Sequence, residues 1–411
     1  MKIVGLNRMF SFDGYRIEEV IFSPEVVQVK LRLDKRKRLR CPGCHRKVRS
    51  EINDMRVARD MPFGPAVYAL ITYPAIRVRC IHCGKQSWLT PAEIDSHRRV
   101  TFRLLRYAAV LAKDLPATKA AALLDIGDTR LRNWDKAVLA EHLSPPDFDN
   151  LATLMIDEKA IGQGHDYVTV VLNGQNGELL HCHEGRKTES LKAFFDKLTD
   201  KQKANIHAVC VDRLGAYVEC VKAELPHASI AFDKFHLVKN FNAVVDEIRR
   251  DEWNKARAEK DDRNAKLIKG QRYNLLRRPE KNTEYQQSRL DELLAMNETL
   301  NKAYVLVEDF RDVLSQRFVG HSKRYLKLWI ATAVESGITA VVKFAKSLEK
   351  VSENVINAVR FKLSNGRMEG FNNLFARIIH RGCGYSDNEY LYLKLRQASL
   401  PDELKVPALQ K

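Results

Sequence analysis

Three short apolar runs, each ending in an acid, constrain this chain more tightly than anything else in it. Leu154-Met155-Ile156 leads into Asp157 and Glu158, Val209-Cys210-Val211 into Asp212, and Ile230-Ala231-Phe232 into Asp233. Such runs read as buried strands, so each delivers a carboxylate to a sheet edge. A carboxylate there costs desolvation energy unless positive charge meets it. Any one of these acids alone can simply end its strand in solvent. Several converging form a hard-oxygen site suited to Mg²⁺ or Mn²⁺. A further acid, Glu369, lies far downstream in Ser364-Asn365-Gly366-Arg367-Met368-Glu369-Gly370. Met368, Phe371, Phe375 and Ile378 fall on one helical face and Glu369, Asn373 and Arg377 on another. Glu369 can therefore turn toward the sheet-edge acids. Asp157, Asp212 and Glu369 are the candidate magnesium ligands. Strand alternation sends Glu158 to the opposite face from Asp157, which disfavours it. His181 and His183 share a strand face but supply too few ligands for a metal site.

The surroundings give the order of elements. Ser144-Pro145-Pro146 ends helical periodicity and marks a boundary. After it come strands at 154–157, 167–172 and 178–183, with a turn signal at Asn173-Gly174. A helix at 188–198 capped by Thr188, a strand at 206–211, a helix at 214–225 and a strand at 229–232 follow. Residues 234 to about 350 are helical and highly charged, and Arg249, Arg250, Arg277 and Arg278 there are possible contacts to a nucleic-acid backbone.

The net charge of +17 favours a polyanionic partner, and a nucleic acid suits it better than a membrane surface. No run of about 18 apolar residues appears, so no membrane span is expected. The first residues lack a signal-peptide core, which places the protein in the cytoplasm, associated with the nucleoid. Of eight cysteines, four form the pairs Cys41-x-x-Cys44 and Cys80-x-x-Cys83. Two such knuckles complete a tetrahedral Cys₄ zinc site, structural because no open position remains. The segment between them holds candidate strands at 67–73 and 76–79, and two more lie at 20–22 and 26–31. The exposed basic run Lys35, Arg36, Lys37 and Arg38 leads into Cys41 and is a candidate phosphate contact.

From residue 100 the period becomes helical. Thr118 to Ile126, a turn at Gly127, and a helix capped by Asp128 or Thr129 outline a helix-turn-helix, whose Arg130, Arg132 and Asn133 could reach a DNA groove. A plain helical hairpin fits the same pattern.

Taken together, these motifs resemble the ISL3-type insertion-sequence transposases of the wider DDE transposase group. The resemblance rests on the paired CxxC module, Ile156-Asp157-Glu158, Asp212, Asp233-Lys234-Phe235-His236, Ser364-Asn365-Gly366 with Glu369-Gly370, and Arg381-Gly382-Cys383-Gly384-Tyr385, and spans nearly the whole chain. It implies a DDE-type transposase that binds element ends and cuts and joins DNA, acting as a homo-oligomer. It also implies the triad Asp157, Asp212 and Glu369, with Asp233 and His236 structural or supporting. Two metal ions would activate the attacking oxygen and stabilise the leaving one, with Asp157 bridging both. The expected fold is multidomain α/β. An N-terminal zinc module (1–98) and a helix-turn-helix-like region (99–145) precede a ribonuclease H-like catalytic core (150–236 and 351–400) with a large helical insertion (237–350). A DNA-binding regulator without catalysis and a general metal-dependent nuclease remain as alternatives.

Overall fold

Alternating apolar and polar residues make strands of the first hundred positions. β1 (Tyr15–Phe22), β2 (Val26–Leu33), β3 (Ser50–Asp60), β4 (Tyr68–Arg79), β5 (Gln86–Leu89), β6 (Ile94–Asp95) and β7 (Val100–Thr101) form one sheet in the order β1-β2-β4-β3-β7-β6, with β5 beside β4. The computed structural model describes residues 11–62, 68–161, 166–212, 215–361 and 365–407. Val67, Leu214 and Ser364, expected in a strand, a helix and a motif, lie outside the described residues. Two compact units emerge, residues 1–145 with 377–411, and residues 146–376.

In the first unit, the two strands expected around Pro74 are one strand, β4. Pairing with β2 extends to Thr72 and pairing with β5 starts at Ile76, so Pro74 sits where only β3 flanks the strand. A missing N–H is tolerated there. α1 (Phe102–Asp114), α2 (Ala117–Leu123) and α3 (Asp128–His142) follow and pack through Leu104, Leu105, Ala108, Leu131 and Trp134. The cap of α3 is Gly127, with no side-chain cap bond, rather than Asp128 or Thr129. Asp128 instead pairs with Arg132 one turn on, at 3.2 Å. The Arg59 guanidinium of β3 donates to the carbonyls of Leu124 and Asp125, satisfying the end of α2 and tying it to the sheet. The helix Asn388–Ser399 belongs to this unit. Its Lys394 is buried and donates to Asp135 (3.0 Å), Gln397 (2.7 Å) and the Ala112 carbonyl (3.1 Å), while Tyr390 Oη donates to Asp135 at 2.6 Å. Removing one member of so buried a pair costs roughly 3–5 kcal/mol, so this network fixes the helix against α1 and α3.

The second unit holds β8 (Thr153–Ala160), β9 (Tyr167–Asn173), β10 (Leu179–Glu184), β11 (Ala208–Val211) and β12 (Ser229–Phe232) in the order β10-β9-β8-β11-β12. The first three are antiparallel neighbours; β8, β11 and β12 run parallel. The β9–β10 turn is longer than an Asn-Gly hairpin: Gly177 takes the positive φ of 82°, and its N–H returns to the Asn173 carbonyl at 2.8 Å. Gly174 is needed for space instead, because a Cβ there would lie 2.5 Å from Thr153 Oγ1.

Helices α4 (Thr188–Phe195), α5 (Asp200–Asn205) and α6 (Gly215–Glu224) accompany the sheet. Thr188 opens α4 rather than capping it, and Lys187 holds the cap position. Then come α7 (Lys234–Ala258), α8 (Asp262–Gly270), α9 (Arg272–Leu276), α10 (Glu284–Met296), α11 (Glu298–Ser315), α12 (Val319–Glu335), α13 (Thr339–Glu349), α14 (Ser352–Arg360) and α15 (Asn365–Gly382). The buried side chains of α7 to α14 are continuous with those beneath the sheet. Phe241, Phe310, Trp329 and Phe344 anchor them, and Trp329 Nε1 donates to the Leu306 carbonyl at 2.9 Å. Asn354 and Asn357 of α14 donate to the Ile230 carbonyl, covering the edge strand β12. No described helix is long and apolar enough to cross a membrane.

Candidate active site and metal-binding cysteines

Strand register brings three acids into one row. β11 pairs Cys210 with Met155 of β8 and Val211 with Phe232 of β12. Carried forward along parallel strands, that register sets Asp212, just past the end of β11, level with Asp157 on one side and with Asp233, just past the end of β12, on the other. Asp157 does not end its strand as expected: β8 runs on to Ala160, held by its pairing with β9. Ligands gather at this end of parallel sheets.

Charge is balanced locally. Asp157 is 4% exposed; its Oδ1 takes the Glu158 N–H at 2.8 Å and its Oδ2 lies 2.5 Å from Lys159 Nζ. Asp233 caps α7 by accepting the Phe235 N–H at 2.7 Å. His236 Nδ1 lies 3.7 Å from Asp233 and 3.9 Å from Asp212. Asp233, with Asp212 and Asp157 farther off, holds the imidazolium above its usual range against the opposing effect of burial. Burial raises the Glu158 carboxyl, partly countered by Arg186, and its Oε2 is buried without a hydrogen bond.

Helix α15 faces this row with Asn372. Its Nδ2 donates to Asp157 Oδ2 at 3.5 Å, and its Oδ1 is buried without a partner. Arg367 holds the start of the helix by donating to the Gly174 carbonyl at 2.7 Å. Glu369, one turn before Asn372, is exposed and lines a cavity with Lys234, Arg277 and Arg278. Asp157, Asp212 and Glu369 are not drawn to mutual ligand spacing in this structure. The carboxylates and the orphaned Asn372 oxygen are nonetheless hard donors that fit a divalent ion of the Mg²⁺ class.

The four cysteines do reach ligand spacing. Among the described residues they form the group of potential ligands whose donor atoms all lie within 4.8 Å of one another. Cys41 Sγ lies 3.6 Å from Cys83 Sγ, and Cys44 Sγ 3.5 Å from Cys80 Sγ. Four thiolates about 2.3 Å from one ion stand about 3.8 Å apart in a tetrahedron, so the cluster is compatible with zinc. The knuckles repeat each other: His45 N–H returns to the Cys41 carbonyl and Gly84 N–H to that of Cys80, both at 2.9 Å, with φ of 58° and 73°. Amides of Cys44 and Gly43 hold the Cys41 thiol down to about 6, favouring the ligating thiolate.

The family model for DDE transposases of the ISL3 type matches residues 154–395, from β8 into the last long helix. The chain belongs to the ISL3 transposase family. The transposase for insertion sequence element IS1001 of Bordetella parapertussis is 31% identical over 346 residues, 84% of each chain. The transposase for IS1557 of Mycobacterium tuberculosis is 28% identical over 263 residues, 59% of each. The span matched by the ISL3 model takes in Asp157, Asp212, Asp233, His236, Asn372 and Glu369.

Elsewhere in this family member, the other expected residues fall into distinct settings. Lys35, Arg36 and Arg38 are exposed, while Lys37 is tied to Asp13 by its carboxylate (2.9 Å) and carbonyl (2.8 Å). Arg130 and Asn133 line a cavity with His97, Arg98 and Arg99, whereas Arg132 is engaged by Asp128. Arg249 is no open backbone contact: it is buried against Asp246 at 2.9 Å. His181 is also buried, between Ser190 and Lys197, and burial with Lys197 pushes it down to about 4. Sequence reasoning missed Asn372 and Lys159. Asn372 lies three positions after Glu369, the spacing that puts two residues on one face.

Proposed function

We propose that this chain is the transposase of an insertion sequence, binding the element's ends and catalysing metal-dependent DNA strand cleavage and strand transfer. The observation that carries the reading is the row of Asp157, in β8, with Asp212 and Asp233, just past the ends of β11 and β12. The strand order, with three antiparallel and three parallel neighbours sharing β8, supports a ribonuclease H-like core. In this reading Asp157, Asp212 and Glu369 hold Mg²⁺ or Mn²⁺. A bound divalent ion supplies Lewis acidity to the attacking and leaving oxygens of an in-line displacement.

The chain's own contribution is rigidity and charge. Asp157 is fixed by Lys159, the Glu158 amide and Asn372, and the His236 imidazole supplies positive charge 3.9 Å from Asp212 and 3.7 Å from Asp233. Glu369 rides on α15, exposed in the arginine-lined cavity, and in this reading closes on the strand acids when DNA engages. The zinc cluster is structural, and Lys35, Arg36, Lys37, Arg38, Arg130, Arg132 and Asn133 contact DNA within a homo-oligomer.

The test is incubation with Mg²⁺ and DNA carrying the element's own ends, read on a denaturing gel. Cleaved ends together with joined products are expected. Binding without cleavage makes the protein a regulator, and cleavage that ignores the ends makes it a nuclease.

A further inference from the structure

We propose that the cavity beside Glu369 takes an unpaired stretch of DNA strand next to the cut, so that the enzyme opens the duplex end there. The inference rests on the transposase reading and adds to it a binding site for one strand. The cavity has a volume of about 630 Å³, and Lys234, Phe235, Arg277, Arg278, Lys281 and Glu369 line it. That is the size of a small-ligand pocket, enough for one or two nucleotides and too small for a duplex.

Three features select the occupant. Five cations line the cavity with one carboxylate. Arg311 is taken up by Glu308, whose charge Arg278 also feels, while Arg277, Arg278 and Lys281 are in no ion pair among the described residues and are placed for phosphates. The backbone that carries the arginines is pinned. Arg311, buried in α11 and paired with Glu308, donates to the carbonyls of Leu276 (2.8 Å) and Arg277 (3.4 Å). Finally, Phe235 is 58% exposed in the first turn of α7, between the cap Asp233 and His236, whose ring it meets edge-on at 5.7 Å.

A basic groove with an aromatic platform is the arrangement that binds single strands, through phosphate contacts and base stacking. Stacking on Phe235 would compensate for the base pairs lost. The position beside Glu369 puts the opened strand next to the candidate catalytic acid. Sequence alone could name Arg277 and Arg278 as backbone contacts but could not bring them to Phe235.

The experiment compares the full-length wild type, Phe235→Ala and Phe235→Trp on two end substrates with Mg²⁺. One substrate is fully paired and the other carries mismatches at the base pairs flanking the cut. Because Phe235 is largely exposed, its replacement leaves the core intact. Phe235→Ala is expected to cleave the paired end about tenfold more slowly or worse. It should recover most of that loss on the mismatched end, and Phe235→Trp should stay near wild type on both. Equal deficits on the two substrates, or no deficit on either, overturn the proposal. If wild type itself cleaves neither substrate, the transposase reading fails and takes this inference with it.

Discussion

Asp157→Ala is expected to slow cleavage and joining at the element's ends by about a thousandfold or more and to leave binding to those ends unchanged. The size follows from the role proposed for this side chain. Charge stabilisation by a catalytic ion is worth several kcal/mol, and each 1.36 kcal/mol is about tenfold in rate. Asp157 is the acid most firmly fixed, between Lys159, the Glu158 amide and Asn372. Its removal leaves Lys159, whose side chain is 18% exposed, without its carboxylate. Asp157→Asn therefore serves as the companion variant, since it keeps the shape and loses the charge. Both variants are read by end-cleavage rate on a gel and end binding by mobility shift. Activity within tenfold of wild type in either would remove Asp157 from the metal site.

Cys41→Ser is expected to abolish zinc binding at the four-cysteine cluster and to weaken DNA binding. Small zinc modules draw on the order of 10–16 kcal/mol of apparent folding energy from their ion. Here the loss is local, because β1 to β4 keep their own apolar core of Val27, Val29, Ile71 and Tyr73. The knuckles have only a small cluster around Val48, Ile76 and Val78. Metal analysis should find one zinc per wild-type chain and none in the variant, with a lower melting temperature and end binding weakened at least tenfold. An unchanged zinc content would contradict the assignment.

The strands before Asp212 and Asp233 were legible because each is a short apolar run with an abrupt polar end, whereas β8 was located by its apolar run but continues past Asp157 to Ala160 because β9 pairs with it there. Two cysteine pairs were legible as one cluster because CxxC spacing brings thiols together at a knuckle, and the four donor atoms do lie within 4.8 Å of one another. Other features depend on contacts that sequence does not encode locally. Helical periodicity gave Glu369 a face but could not say that Asn372 is the residue beside Asp157. Nothing near Lys394 announces a partner at Asp135, which lies 259 positions away. Pro74 read as a strand break because its one-sided setting in β4 depends on where β2 and β5 stop. The Asn173-Gly174 signal was real but misplaced the turn, since the left-handed residue is Gly177.

The central claim is that these carboxylates hold the catalytic ion, and replacing one ligand by a softer one tests it most directly. Asp212→Cys should cleave element ends poorly in Mg²⁺ and regain activity in Mn²⁺, because a thiolate accepts Mn²⁺ far better than Mg²⁺. Wild type should be active in both. Full activity of Asp212→Cys in Mg²⁺ would mean that Asp212 does not bind the metal, and would contradict the account.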